Sequence, residues 1–251
     1  MKKILFKAMM ITVFIFSLNY SVSAQSIETD NFHSYYVNSN GVKLTKKEYN
    51  FVKEFYSLEY LERMEKEDYY WLLDLKINEN EVVIKSSNED IIATKGANHQ
   101  TGSKKLSIAK SCTSSVCTVI TSVTWLVEPK IRSYDLIGAR FENASLSNNT
   151  ISTKVYSSNG TTTFSNYKIS TNGIGNSVLL PTGAKNISVD QKFYMKKGGK
   201  VYASYQHSIK NISLATSKLY QISERGYGNV FLFSGAAVGV FDGMSGVDMS
   251  L

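Results

Sequence analysis

The chain has two cysteines, Cys112 and Cys117, and their spacing in SCTSSVC limits the chemistry that they can do. A tetrahedral zinc site needs four ligands, but the sequence has no third cysteine and no histidine close to the pair. A thioredoxin-type redox motif has two residues between its cysteines, whereas this pair has four. The flanking segments KLSIAK and TVITSVTWLV are rich in β-forming residues, so TSSV is predicted to be a hairpin tip. Cysteines that face each other across such a tip approach disulfide distance, and we predict a disulfide; two free thiols are the alternative.

The three histidines, His33, His99 and His207, are the candidates for general-base catalysis and for metal binding. None has a second ligand at the spacing of a zinc motif, so we predict no metal site. The sequence also lacks the G-x-S-x-G motif of serine hydrolases. His207, in YQHS, is the best general-base candidate because a strand could direct it into a cleft. An extracellular hydrolase that uses His207 is therefore the third functional hypothesis. The alternative is that His207 is a structural histidine held by a buried neighbour.

Carboxylates are scarce in the second part of the chain, which disfavours glycosidase chemistry because that reaction needs two acids facing one cleft. Residues 96–251 contain Glu128, Asp135, Glu142, Asp190, Glu224, Asp242 and Asp248. The tail FDGMSGVDMSL could offer oxygens to calcium, but it lacks the ligand spacing of an EF-hand loop. A closing strand after a glycine turn is the preferred interpretation. No phosphate-binding glycine loop is present, so we predict no cofactor and favour a protein without enzymatic activity.

The first 24 residues have the pattern of a signal peptide. Three lysines precede an apolar run from Ala8 to Leu18, and small residues at positions 22–24 predict cleavage after Ala24. A retained anchor is the alternative, but the run is shorter than the roughly 20 apolar residues that span a bilayer. No later segment is apolar enough to span, so we predict no transmembrane helix in the mature chain. The expected location is therefore extracellular, where disulfides persist.

Charge is distributed unevenly along the chain, whose formal net charge is +7. Residues 25–95 contain 14 acidic and 9 basic residues, a net charge of −5, whereas residues 96–251 contain 7 acidic and 16 basic, a net charge of +9. Lys196, Lys197 and Lys200 surround a Gly-Gly turn that is predicted to be a hairpin tip, so they are the candidate contacts for an anionic polymer or membrane surface. A solvated lysine-rich surface is the alternative. Arginines are few, so nucleic acid is not an expected partner.

Residues 25–95 are predicted to form a helical N-terminal segment with short strands. Thr45 and Glu48 have the spacing of a capping box, so a helix is expected to start at Thr45. Aromatic and aliphatic residues then recur at helical spacing, which predicts two or three short helices over residues 45–75 with one buried face. Phe55 is expected in that face. EVVIK and DIIAT are predicted to be strands on either side of the Ser-Ser-Asn sequence at 86–88.

Residues 96–251 are predicted to form an antiparallel β-sandwich or a jelly-roll-like domain after the polar linker KGANHQTGSK. Short alternating segments are separated by Asn-Gly and Gly-Gly turn signals, with no helical pattern between them. The Ser/Thr-rich stretch at 151–170 has arms of about the length of a membrane-spanning strand, which raises a pore-forming hypothesis. Its alternation fails after Phe164, so an ordinary hairpin is favoured.

The chain resembles uncharacterised small secreted proteins of low-GC Gram-positive bacteria. The resemblance rests on MKKILF and SVSA in the leader, on Lys/Asn/Ile/Tyr-rich usage, and on the phrases VYASYQHSI and GVDMSL. It implies export and no activity. The leading hypothesis is a secreted, non-catalytic β-rich protein that binds a cell-surface, wall-polymer or protein partner, because tyrosines are abundant and favoured in contacts. A pore-forming or membrane-acting protein is the second hypothesis.

Overall fold

A computed structural model of the protein describes residues 28–30, 33–56, 58–88, 103–224, 230–243 and 245–251. The helices in this part of the chain are α1 (Lys46–Phe55), α2 (Leu58–Arg63), α3 (Lys66–Leu73) and α4 (Leu214–Ser217), with a 3-10 turn at Gly235–Ala237. The strands are β1 (Glu28–Asp30), β2 (His33–Val37), β3 (Lys43–Thr45), β4 (Val82–Asn88), β5 (Lys104–Cys112), β6 (Val116–Trp125), β7 (Tyr134–Glu142), β8 (Leu146–Ser157), β9 (Gly160–Phe164), β10 (Tyr167–Ser170), β11 (Gly173–Leu179), β12 (Ser188–Lys196), β13 (Lys200–Gln206), β14 (Tyr220–Ile222), β15 (Phe231–Phe233) and β16 (Ser245–Ser250). None of the described helices is long and apolar enough to cross a membrane.

Two antiparallel sheets form a β-sandwich, as the short alternating segments predicted. One sheet has six strands in the order β4-β5-β6-β12-β8-β9, and the other has five in the order β10-β11-β7-β13-β16. Their facing sides meet in a core to which Ile108 and Phe193 contribute from the six-stranded sheet and Ala139 and Val201 from the five-stranded sheet. All four are fully buried, and burial of each large apolar side chain contributes roughly 1.5–3 kcal/mol.

Strand β6 shows why the six-stranded sheet is covered on both faces. Every residue of this strand except Val116 is buried, so the strand lacks the polar alternation of a sheet with one wet face. Val119 and Val123 face the sandwich core, whereas Ile120 belongs to a second apolar cluster on the outer face. A segment such as TVITSVTW, with apolar or small residues at every position, is therefore what this location requires.

Helices α1, α2 and α3 form the layer on that outer face. Thr45 caps α1 as predicted: its hydroxyl accepts from the Glu48 backbone N–H, and the Glu48 carboxylate accepts from the Thr45 N–H. Phe55 is completely buried, in the same apolar cluster as Ile120 and Tyr156 of the sheet. The helices and the sheet therefore share one continuous core, and β4 is an edge strand of that sheet.

A second covering layer lies against the outer face of the five-stranded sheet. It consists of β14, β15, α4 and the 3-10 turn, and it buries Tyr220 and Phe231 against Leu136. The contact requires glycine in the sheet, because a Cβ atom on Gly138 would lie 2.8 Å from the Phe231 ring and 2.3 Å from the Ile174 carbonyl oxygen. The sandwich thus has α-helices on one side and a small β-rich layer on the other.

Three predictions of local structure were wrong. The sequence at 86–88 is not a turn, because it continues β4 in register with β5. The stretch at 151–170 is not a single hairpin: β8 and β9 pair in the six-stranded sheet, whereas β10 pairs with β11 in the other. The Gly198-Gly199 turn is not a hairpin tip, because β12 and β13 belong to different sheets. The leader, the DIIAT segment, His99 and residues 95–102 of the predicted linker at 95–104 lie outside the described residues.

Candidate functional site

The candidate site is a groove between helices α2 and α3 and the β8–β9 hairpin, which we call the helix–hairpin groove. Its volume is about 550 Å³, and roughly 300–1,000 Å³ is typical of small-ligand sites. The lining consists of Asn40, Tyr60, Arg63, Glu65, Glu67, Asp68, Lys154, Tyr156, Ser157, Ser158, Gly160, Thr161 and Thr163. Helical and β residues contribute to it together, so it exists only once the two layers have packed.

The hairpin wall of the groove is set by a tight turn between β8 and β9. The Ser157 hydroxyl accepts from the Asn159 backbone N–H at 3.2 Å, and Gly160 has a φ of +100°, which glycine adopts without strain. Thr161 pairs with Tyr156 and Thr163 with Lys154, so these four side chains lie on the groove side of the strands.

Asp68, on α3, fixes the position of the hairpin relative to the helices. Its Oδ1 atom lies 3.2 Å from the ammonium nitrogen of Lys154, and its Oδ2 atom accepts from the Thr161 hydroxyl at 3.2 Å. The carboxylate is nearly inaccessible, with 6% of the side chain exposed. A buried ion pair is costly to break because it leaves one uncompensated charge. The groove wall is therefore held in one arrangement before any ligand arrives.

Aromatic rings form the inner end of the groove. Tyr60 packs edge-on against Tyr156, with ring centroids 4.9 Å apart, and stacks on Tyr56 at 4.3 Å. Burial raises the pKa of the Tyr60 and Tyr156 hydroxyls well above the usual range, so both stay neutral. Behind them the Tyr56 hydroxyl donates to the Asp190 carboxyl, whose pKa burial raises to about 7. The groove thus has an uncharged aromatic end over a buried acid.

The charges of the lining nearly balance. Arg63 and Lys154 carry positive charge, and three carboxylates carry negative charge. The Asn40 side-chain amide donates to the Arg63 carbonyl oxygen at 2.9 Å and to the Glu65 carboxylate at 3.1 Å, which ties the rim together. Within the described ranges no group of three His, Cys, Asp or Glu side chains could hold a metal ion.

His207 lies outside the groove, directly after β13, in a separate polar cluster. Its Nδ1 atom is 2.9 Å from Oδ2 of Asp135, a completely buried carboxylate. The same carboxylate accepts from the Tyr205 hydroxyl and from the Ser208 backbone N–H. The imidazole ring packs edge-on against Trp125. The geometry matches the expected alternative of a histidine held by a buried neighbour.

Asp242 completes that cluster, and sequence analysis had considered it for calcium. Its Oδ2 atom lies 2.6 Å from the ammonium nitrogen of Lys104, and its Oδ1 atom accepts from the His207 backbone N–H at 2.7 Å. Burial raises the pKa of the Asp242 carboxyl, whereas the nearby Lys104 lowers it. The Lys104 ammonium group also lies over the Trp125 ring, 5.3 Å from its centroid. This arrangement connects β5 to the segment that precedes β16.

The three lysines of the predicted cluster lie in two different environments. Lys196 and Lys197 are exposed, whereas the ammonium nitrogen of Lys200 lies 3.5 Å from the Asp248 carboxylate and 5.7 Å from the Tyr202 ring centroid. The Lys197 backbone N–H donates to the Ser115 carbonyl oxygen at 2.9 Å. The two exposed lysines therefore lie beside the β5–β6 hairpin tip, outside the groove.

The expected disulfide is present at that tip. Cys112 and Cys117 are bonded, and their Cα atoms are 4.0 Å apart as register partners of β5 and β6. The Thr113 backbone N–H donates to the Val116 carbonyl oxygen at 2.8 Å, which closes the loop below the bond. Like His207 and the lysines, the disulfide is not part of the groove lining.

No sequence pattern identifies the groove residues as a group. Asp68 and Thr161 are separated by 93 positions, and no motif connects them. The one available signal was Asp68 itself, an acid in an aromatic helical stretch whose Trp71 and Leu72 side chains are also buried. An acid at such a position must find a partner, because unpaired buried charge is strongly disfavoured.

No protein-family model matches this chain, and no curated protein sequence matches it. Among solved structures, the chain is similar to the KRT10-binding region domain of the pneumococcal serine rich repeat protein PsrP. That similarity has a TM-score of 0.28 and 11% sequence identity, and it covers 51% of this chain and 85% of the other.

Proposed function

We propose that this protein is a secreted, non-catalytic binding protein that holds its ligand in the helix–hairpin groove. The observation that carries the proposal is the groove itself: a concave site of about 550 Å³, lined by charged, hydroxyl and tyrosine side chains and built across two layers of the fold. Export is supported by the leader sequence and agrees with the disulfide, since disulfides persist outside the cytosol.

Preorganisation supports a binding role. Asp68 uses one carboxylate oxygen to hold Lys154 and the other to hold Thr161, so the facing walls are fixed relative to each other. A ligand that enters a preformed site does not pay the entropic cost of ordering it. The rim side chains Arg63 and Glu67 remain available for contact, because they lie on the partly or fully exposed surface of the helices.

The placement of reactive groups supports a non-catalytic role. A general base must reach the proton that it removes, and Asp68, the buried one of the three groove acids, is already engaged at both oxygens. The best histidine candidate, His207, faces Asp135 in a different part of the molecule. The groove therefore offers contact groups, while the acid–histidine pair holds strands and loops together.

Sedimentation with purified cell walls of a low-GC Gram-positive bacterium, and with intact epithelial cells, tests the proposal. Thr163→Trp fills the groove, and Thr162→Trp places the same bulk on the opposite face of β9 as a matched control, since Thr162 is also exposed. The mature protein should sediment with one of these surfaces. We expect Thr163→Trp to weaken that binding at least tenfold and Thr162→Trp to leave it within twofold.

Thermal unfolding should first show that both variants are folded. Arg63→Ala provides a second groove variant that removes a donor without adding bulk. If wild-type protein binds neither surface, or if Thr163→Trp and Arg63→Ala bind as well as wild type, the groove is not the binding site and the proposal is wrong.

A further inference from the structure

We infer that the helix–hairpin groove binds a short, neutral oligosaccharide; this inference rests on the proposed function and specifies its ligand class. Three features of the lining carry it: the absence of aliphatic side chains, the near balance of charge, and the density of short hydroxyl side chains. The first two features each disfavour a class of ligand, and the third favours the class that remains.

The first feature is that, among the described residues, no Leu, Ile, Val, Met or Phe side chain lines the groove. Lipids and most peptide ligands are held by apolar pockets that bury aliphatic or aromatic anchors. An apolar ligand here would instead cover the Arg63 guanidinium, the Glu67 carboxylate and the hairpin hydroxyl oxygens without hydrogen-bonding to them. Polar groups that are buried without partners are unfavourable, so the groove disfavours such ligands.

The second feature is the charge of the lining, which holds two basic and three acidic side chains. Lys154 is already paired with Asp68 at 3.2 Å, so its charge is largely compensated. A phosphate-rich or sulfated polymer would find no excess of positive charge and would lie against Glu65 and Glu67. Like charges at close range repel, so the groove disfavours an anionic ligand.

The third feature is the set of hydroxyl groups that the hairpin presents. Ser157, Ser158, Thr161 and Thr163 follow one another around the β8–β9 turn. Ser157, Ser158 and Thr161 each donate a hydrogen bond within the protein, so they offer a ligand their acceptor oxygens, to which the hydroxyls of a sugar can donate. These short side chains also lose little rotamer entropy when a ligand fixes them.

A neutral polyol suits the polar groups that face the open part of the groove. Its hydroxyls can accept from the Arg63 guanidinium and donate to the Glu67 carboxylate, while a ring lies toward the aromatic end formed by Tyr60 and Tyr156. No charge has to be desolvated on the ligand side, which keeps the cost of binding low. The groove volume of about 550 Å³ suits a short chain of rings rather than one sugar.

Competition against sedimentation tests the inference. The surface that binds wild-type protein is digested, and the soluble material is separated by charge and chemistry into neutral saccharide, anionic saccharide and peptide fractions. Neutral tetrasaccharides of glucose, galactose, mannose and N-acetylglucosamine are added as defined probes. We expect the neutral fraction to displace wild-type protein, and calorimetry with that fraction to give heat for wild type and Thr162→Trp but at least tenfold weaker binding for Thr163→Trp.

Salt provides a further arm of the test. Binding of a neutral saccharide should change less than twofold between about 0.05 and 0.5 M salt, because the ligand carries no charge to be screened. If the anionic or peptide fraction competes while the neutral fraction does not, the ligand class is wrong but the proposed groove function stands. If Thr163→Trp sediments like wild type, the proposed function itself fails. If no fraction competes, a soluble oligosaccharide is not the ligand and the inference is overturned.

Discussion

Asp190 should make the protein less stable as pH rises from acid to neutral. Its side chain is completely buried beneath the helical layer, where it accepts from the Tyr56 hydroxyl, and burial raises its pKa from 3.8 to about 7. Below about pH 4 both the folded and the unfolded chain hold this proton. Between about pH 4 and 7 the unfolded chain releases the proton while the folded chain keeps it, so unfolding becomes more favourable.

The size of the effect follows from the two pKa values. A difference of roughly 3 pH units corresponds to about 4 kcal/mol, since one unit is equivalent to 1.36 kcal/mol. This stabilisation is fully present below about pH 4 and is lost as pH rises through about 7, above which the curve should flatten. Asp190→Asn removes the titrating group but keeps an oxygen that can accept from Tyr56.

Denaturant unfolding at intervals from pH 4 to 8 measures the effect. The free energy of unfolding of wild type should fall more steeply than that of Asp190→Asn, with a difference of up to about 4 kcal/mol accumulated across the range. Glu81→Gln is a matched control, because Glu81 is exposed and should leave the slope unchanged. If Asp190→Asn and wild type give parallel curves, the carboxyl is not protonated in the folded protein and the reasoning is refuted.

Three further predictions concern the core, the charged end and the hairpin tip. Phe55→Ala should lower the free energy of unfolding by about 3–5 kcal/mol, measured by denaturant titration, because the ring is completely buried. Reversing Lys196 and Lys197 to Glu should weaken adsorption to anionic vesicles at low salt, because both side chains are exposed and surface charges act within about 8 Å at physiological ionic strength. Protein secreted into medium should begin at Gln25 and, by mass spectrometry, should contain no alkylatable cysteine before reduction.

Each of these has a control and a contradicting result. For the core, Leu58→Ala on the exposed side of α2 should lower the free energy of unfolding by less than about 1 kcal/mol. If Phe55→Ala lowers it by no more than that, the helices do not pack as described. For the charged end, reversal of the remote exposed Lys130 should have a smaller effect than the double reversal, and equal effects would remove the local patch. Two alkylated cysteines in unreduced protein would exclude the disulfide.

Local sequence signals were sufficient to predict much of the fold. The capping box at Thr45, the buried helical face with Phe55 and the hairpin between Cys112 and Cys117 all depend on residues close together in sequence. For these elements, propensity, periodicity and side-chain geometry point to the same structure, and the structure follows them.

The pairing of strands could not be predicted in the same way. Strands β12 and β13 are adjacent in sequence and separated by Gly198-Gly199, which is also how a hairpin would look. Alternation shows that a strand has two faces but does not show which sheet it joins. Glycine is needed at position 199 for a different reason. A Cβ atom on Gly199 would lie 2.2 Å from the Asn143 carbonyl oxygen, because the chain passes close to that residue as it crosses from one sheet to the other.

The candidate site depended on contacts still farther apart. Asp68, Lys154 and Thr161 meet only because the helical layer packs on the six-stranded sheet beside its β9 edge. Conversely, His207 was the best general-base candidate in the sequence, but its ring is directed at the buried Asp135 carboxylate. The types of these residues were visible in the sequence, whereas their partners depended on the packing of layers.

Hydrogen–deuterium exchange with and without the bound surface saccharide is the most direct test of the claim that the helix–hairpin groove holds the ligand. If the groove holds the ligand, exchange should slow on binding in residues 58–68 and 154–163, which form the two walls, and should not change at the lysine-bearing turn around residues 196–200. Slower exchange confined to that turn, or to the segment around His207, would contradict it.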